Sequence, residues 1–324
     1  MDVNRFMNER RPAWQELEEM LGRLEAQGWP GLGLERARRF GKLYRAASSD
    51  LIQARTATAD AAVVDYLNDL VARAYGAVYA GRSSKGRAIR SFFAVEFPRL
   101  VREEARLVVL AASILVLGGA VGATSVALDP SSESVMIPAG HGEMRPEERV
   151  AQDEAEGPHG GDTAAAFGGF LFTHNMQVSF FVFALGITWG VGTVLLLFYN
   201  GVPLGALAVQ YHLAGKGLFF WAWILPHGIP ELTSVFISGA AGLVLARALI
   251  APGRLRRNQA LVNAAKRAVR MVLGVAPLLC VAGLIEATIS QMHAPVMPYA
   301  VKLAFAACVA VSLFAYLGFA GRRR

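Results

Sequence analysis

The chain has 324 residues, 54% hydrophobic and 18% charged, with a formal net charge of +7. That balance is too apolar for an ordinary soluble protein and too charged for one buried throughout in a membrane. A nucleic-acid partner is excluded by the placement of the basic residues, because those of the second half cluster beside apolar runs.

The first 106 residues hold 18 of the 32 Lys+Arg and 14 of the 25 Asp+Glu, and 129–165 holds nine more acids. Beyond Asp162 only Glu231 and Glu286 remain, both inside apolar runs. The chain therefore divides into a cytoplasmic helical domain at 1–106 and a transmembrane domain at 107–324 with an acidic outer loop at 129–165. Met1–Arg11 is charged and no apolar core follows it, so no secretory signal is expected. Cys280 and Cys308 lie in apolar runs and suggest no disulfide framework.

In chain order, Trp14, Leu17, Leu21 and Leu24 recur at three- and four-residue spacing and predict one helix. Gly28-Trp29-Pro30-Gly31 is expected to break it. A second helix carries Ala37, Phe40, Leu43 and Tyr44, and a third covers about 58–80. Phe92, Phe93, Phe97 and Leu100 then form an amphipathic helix leading to the membrane, with a kink at Pro98.

Leu107–Leu128 is 22 residues without a charge, enough for one span, since about 20 apolar residues cross a bilayer. Arg99, Arg102 and Arg106 beside it keep the N-terminal side inside. The acidic loop then lies outside and, from its Pro, Gly and Ser content, reads as flexible. Thr173-His174-Asn175 interrupts the next apolar run, giving a short re-entrant or interfacial helix and a span over about 177–199. Asn200-Gly201 with Pro203 reads as a cytoplasmic turn, and Leu204–Leu225 as a third span containing His212 and Lys216. Pro226-His227-Gly228-Ile229-Pro230-Glu231 reads as an outer turn, followed by spans at 232–250, 271–291 and 297–319. The expected architecture is all-α: a polytopic membrane helix bundle of about six spans, set in the bacterial cytoplasmic (inner) membrane with both termini cytoplasmic. Only helices serve here, because the bilayer core offers the backbone no other partner.

Ionisable side chains inside a membrane are costly, so each is a candidate for function. His174, His227, Glu231 and Glu286 come from separate segments yet fall at similar depth near the outer face, with His293 in the loop beyond. Asn175 and Asn200 complete a candidate polar cluster. Histidine with carboxylate suits zinc, so His174, His227, Glu231 and Glu286 are candidate metal ligands, and a metal-bound water is a nucleophile. The competing reading makes Glu231, in the first turn after Pro230, a partner of the helix dipole. Glu286 is then a buried carboxyl paired with Lys216, His227 or another base, and His212 a core hydrogen-bonding residue. No phosphate loop, dinucleotide fingerprint or nucleophile elbow is present, so no catalytic residue is assigned and no organic cofactor is expected.

Other residues carry a resemblance. Arg5-Phe6, Arg11, Trp14, Leu17, Leu43-Tyr44-Arg45, Ser49-Asp50-Leu51, Ala54-Arg55, Leu67-Asn68 and Leu70-Val71 match in the first part. Asn175, Phe198-Tyr199-Asn200-Gly201, Gly205, Pro226-His227-Gly228, Glu231-Leu232, Ser238-Gly239-Ala240-Ala241-Gly242 and Leu284-Ile285-Glu286-Ala287 match in the second. Over nearly its whole length the chain resembles the stage II sporulation protein M family of bacterial membrane proteins. Thr233 departs from the pattern, standing where Pro is expected. The family's named member partners peptidoglycan-degrading proteins during engulfment, so the resemblance implies a scaffold or partner subunit of an envelope-remodelling complex. Its partners would be other membrane or envelope proteins and the lipid bilayer, with homo-oligomerisation open. The alternatives are an intramembrane metal-dependent hydrolase using zinc, and a proton-coupled transporter or lipid flippase in which Glu231 and Glu286 carry protons.

Overall fold

The computed structural model describes residues 3–56, 61–80, 85–137, 144–156, 175–292, 294 and 296–322. Every regular element among them is helical. They form two compact units, Met1–Arg90 and Ser91–Arg324.

The first unit is built from α1 (Val3–Thr56) and α2 (Ala61–Ala80), with α3 (Lys85–Ser91) at its end. In a straight helix Trp14 and Asp50 would stand about 54 Å apart. Instead Trp14 Nε1 donates to Asp50 Oδ2 at 2.9 Å, and Arg39 donates to both Glu16 carboxylate oxygens at 2.8 and 2.6 Å. The helical segment therefore doubles back, and Gly33, at φ 73°, marks the reversal. The expected break was two residues too early. The two arms and α2 close over Trp14, Leu17, Leu21, Phe40, Leu67 and Leu70, the apolar positions that the spacing picked out.

The second unit begins with a π turn, Phe92–Glu96, leading into α4 (Phe97–Glu103). The turn before Pro98, where a kink is expected, holds one extra residue. There follow α5 (Ala105–Leu128), α6 (Glu133–Met136), α7 (Pro146–Glu156), α8 (Asn175–Ile187), α9 (Val191–Leu213), α10 (Gly217–Ile250), α11 (Arg257–Ala287) and α12 (Tyr299–Phe319). Five of these, α5 and α9 to α12, are long and apolar enough to cross a membrane, whereas α8 is shorter. Helix α10 is the centre: 72% of its most apolar window is buried, against 11% for α12.

Small residues set the packing. Gly118 and Gly122 of α5 lie on the backbone of Phe198 and Val202, while Gly201 and Gly205 of α9 lie on that of Leu115 and Gly119. A Cβ on Gly205 would run into the Gly119 carbonyl oxygen. Without a hydrophobic drive between helices in lipid, such backbone approach is what holds them together. The pairing runs in the same sense along both helices, so α5 and α9 are parallel. The chain must return between them, and α8 makes the last part of that return. Its Val182 carbonyl accepts from Thr193 Oγ1 at 2.7 Å, and its Gly186 lies on Gly242 of α10.

Four expectations about turns are corrected. The span at 177–199 is divided, because Trp189 and Gly190 take φ of 53° and 83° and end α8. Asn200-Gly201 and Pro203 lie inside α9, where the glycines serve packing. The real turn lies at Ala214–Lys216, with Gly215 at φ 71°, so His212 and Lys216 stand at helix ends rather than within a span. Pro226 and Pro230 lie inside α10. Proline frees carbonyls one turn back but does not end a helix that its neighbours enclose.

The described part of the acidic loop is also helical and packed. Ile137 is buried with Val126 and Ala206, and Val150 of α7 with Tyr211, Phe219 and Phe220. Glu133 accepts from Gln210 at 2.9 Å, and Glu154 accepts from Tyr299. Thus α6 and α7 cap the end of the bundle where α5 finishes. At the opposite end, Arg102 donates to the Leu317 carbonyl and Tyr316 to that of Phe93, each at 2.6 Å. The start of α5 and the finish of α12 therefore share one end.

Candidate functional site

A cavity of about 180 Å³ opens between α8, α9, α10 and α11. Asn175 comes from the first residue of α8, and Leu204 and Leu207 from the middle of α9. Helix α10 supplies Trp223, Ile224, His227, Gly228, Glu231 and Leu232, and α11 supplies Glu286. His227 and Glu231 are one turn apart and so share a face of α10. The unbroken helix through Pro226 and Pro230 is what aligns them. Glu231 lies 16 residues from Arg247 at the other end of α10, which is about 24 Å along the helix.

The polar groups differ in how they are held. His227 Nδ1 is hydrogen-bonded to Ser290 Oγ at 2.8 Å, while its Nε2 lies 3.8 Å from Glu286 Oε1. Lys302 of α12, fully buried, donates to the Ser290 and Met292 carbonyls at 2.9 Å each. The Glu286 side chain is only 7% exposed and makes no hydrogen bond among the described residues. Glu231 also finds no hydrogen-bond or ion-pair partner among them. Two carboxyl groups therefore face one small space with their acceptor capacity unused.

Ser290, His227 and Glu286 stand in the order of an acyl-transfer triad. Ser290 is fully buried and absent from the cavity wall, however, so a substrate carbonyl has no route to its Oγ. The serine instead fixes the imidazole, and Lys302 fixes the turn that carries the serine.

Of the residues expected at the site, Asn175, His227, Glu231 and Glu286 come together. Asn200 does not: its amide donates to the Leu196 carbonyl at 2.7 Å within α9. His174 and His293 lie outside the described residues. Among the described residues no group of three or more His, Cys, Asp or Glu gathers as a metal site, so a zinc reading needs His174 as a further ligand. Lys216 is not on the cavity wall; it caps the start of α10. Sequence reasoning missed Lys302, although a lone cation in the apolar run 297–319 is itself a signal. Ser290 and Trp223 carried no such mark.

A bundle of apolar helices around a buried polar cavity, with a separate helical unit before it, defines an α-helical membrane protein. The model of the stage II sporulation protein M family matches residues 109–291, more than half of the chain, and the chain belongs to that family. A second family model, described as a domain of unknown function, matches residues 4–80, within the first compact unit. An uncharacterised protein of Methanocaldococcus jannaschii is 38% identical over 73 residues, which is 22% of this chain and 41% of that relative. The matched part is thus about two fifths of the relative's length. No solved structure matches the chain. Every cavity residue lies inside 109–291, whereas Lys302 lies beyond it.

Proposed function

We propose that this chain is a multi-pass subunit of the bacterial cytoplasmic membrane, both termini inside, that holds partner proteins of a cell-envelope complex. The observation that carries the reading is the folded structure outside the spans. One helical unit with its own core ends at Arg90, and the second unit carries a packed cap of its own. On α7 the inward Val150 anchors the helix, while Glu147, Glu148 and Glu154 stay exposed. Membership of the sporulation-protein family points the same way. The orientation is supported by the arginines at the end shared by α5 and α12, Arg99, Arg102, Arg106, Arg247 and Arg267 among them. The test is cross-linking in cells followed by affinity capture of the tagged full chain. Lysine at Glu147 and Glu148, or deletion of 1–90, is expected to lose the captured envelope proteins, and Glu231→Gln to keep them. Unchanged capture in both of the first two sinks the proposal.

A second reading, proton-coupled movement of a solute or lipid, is favoured by two carboxyl groups within the bundle that make no hydrogen bond among the described residues. In liposomes it requires a pH-driven flux that Glu286→Gln abolishes. Flux that survives the change removes Glu286 as the proton carrier.

A further inference from the structure

The cavity's chemistry is one-sided. Its acidic groups are acceptors: Glu231 has no partner among the described residues, Glu286 has only His227 Nε2 at 3.8 Å from one oxygen and no hydrogen bond, and the Asn175 amide beside them offers a further carbonyl. The bases nearby are already engaged. Lys302 is spent on two carbonyls, and His227 is tied through Nδ1 to Ser290. Among the described residues no Lys or Arg lines the cavity to complement the two carboxyl groups. The rest of its wall, Leu204, Leu207, Ile224, Leu232 and the Trp223 ring, is apolar and suits a short carbon chain. A resident divalent metal fits less well, because the described residues supply too few ligands.

We propose that this cavity binds a primary ammonium group on a short aliphatic stem, with Glu231 and Glu286 as its carboxylate partners and the Asn175 carbonyl as a third acceptor. The Glu286 side chain, more than nine tenths buried and on the cavity wall, makes no hydrogen bond among the described residues; one oxygen lies 3.8 Å from His227 Nε2, and the ligand satisfies the carboxyl group. Three N–H donors match two carboxylates and an amide, and charge-assisted hydrogen bonds of this kind are roughly twice as strong as neutral ones. Helix α7 reaches the wall residue Trp223, with the Arg149 guanidinium 5.9 Å from the centre of its ring. The same ammonium chemistry is offered by a free amine and by an ethanolamine lipid headgroup. Binding at equilibrium is the claim, and it holds whether or not the chain transports anything or holds partners.

The experiment uses the purified full chain in phosphatidylcholine nanodiscs, with ethanolamine as the probe and choline, which has no N–H donor, as the contrast. Ethanolamine at about 100 times its dissociation constant is expected to raise the melting temperature by roughly 5 °C. Choline is expected to leave it unchanged. Glu231→Gln and Glu286→Gln should each melt as cooperatively as the wild type and lose the response. Nanodiscs of phosphatidylethanolamine separate the sources: a headgroup occupant leaves no further response to free ethanolamine, and a free-amine site keeps it. Equal shifts with choline, or a response retained in both variants, overturns the proposal.

Discussion

Glu103 and Glu104, where α4 meets α5, lie 2.5–3.0 Å from Arg99, Arg247 and Arg267. Glu231 and Glu286, near the capped end, meet no Lys or Arg at ion-pair distance among the described residues. The same side chain is thus used in two ways in one unit. At the first end, cations on α10 and α11 draw α4 and α5 onto the bundle, and the acids are structural. At the second, two carboxyl groups share a space that packing has left open, with only the His227 imidazole near one of them. Stability and function are therefore expected to separate between the two pairs.

The largest expected effect tests that separation directly. Glu104 is 5% exposed, and Glu104→Ala leaves Arg247 and Arg267 without it. The arginines left behind are 54% and 33% exposed, so the loss is that of charge-assisted hydrogen bonds, about 1.5–3 kcal/mol. Glu231→Gln and Glu286→Gln, isosteric and breaking no ion pair with Lys or Arg, are expected to stay within about 1 kcal/mol of the wild type. Thermal unfolding in one detergent measures all three, and a Glu286→Gln loss as large as that of Glu104→Ala would make the cavity acids structural too.

Glycines make the next contrast. Gly205→Val forces a side chain into the Gly119 backbone, and overpacking of this kind costs about 1–3 kcal/mol. Gly22, inside a helical arm of the first unit, has nothing within 4 Å of a Cβ, and Gly22→Ala is expected to stabilise by about 0.5–1 kcal/mol. Hydrogen exchange resolved by segment reads each unit separately: faster exchange in α5 and α9 for the first variant, slower exchange in α1 for the second.

These glycines also show how far the sequence could be read. Charge-free runs are unambiguous, and Leu107–Leu128 was placed within two residues of α5 (Ala105–Leu128). The stripe Trp14, Leu17, Leu21 and Leu24 is the observed core. Turns were the failure, because the same residues mean different things in water and in lipid. Gly201, Pro203, Pro226 and Pro230 would punctuate a soluble chain. Inside this bundle they serve close approach and local rearrangement of an unbroken helix. The true turns, at Trp189-Gly190 and Ala214-Gly215-Lys216, were hidden in apolar surroundings. The site survived these errors because His227, Glu231 and Glu286 were singled out by the cost of burying charge, which does not depend on where a turn falls. Helix α7 was illegible for the opposite reason: its acids read as solvated loop, and only Val150 marks the docked face. The zinc expectation turns on His174. Metal content of the purified protein beside His227→Ala decides it: about one zinc per chain lost in the variant supports it, and none in either ends it.

The smallest expected effect lies at the exposed rim of the charged end. Hydrogen bonds from Arg99 and then Arg267 hold the Glu103 carboxyl below its ordinary value of 4.5. The fold therefore favours the ionised form. Its contribution is fully present above the ordinary carboxylate value and is lost as pH falls through the lower, folded value. Glu103 is 37% exposed, and an ion pair that open contributes less than about 1 kcal/mol. The difference in melting temperature between wild type and Glu103→Gln should thus be small and constant from neutral pH down to about 5, then shrink towards zero on further acidification. Taking the difference cancels the other carboxylates that titrate over the same range. A difference that grew on acidification would mean that the neutral acid is the form the charged end prefers, and the contrast with the cavity acids would then have to be drawn from Glu104 alone.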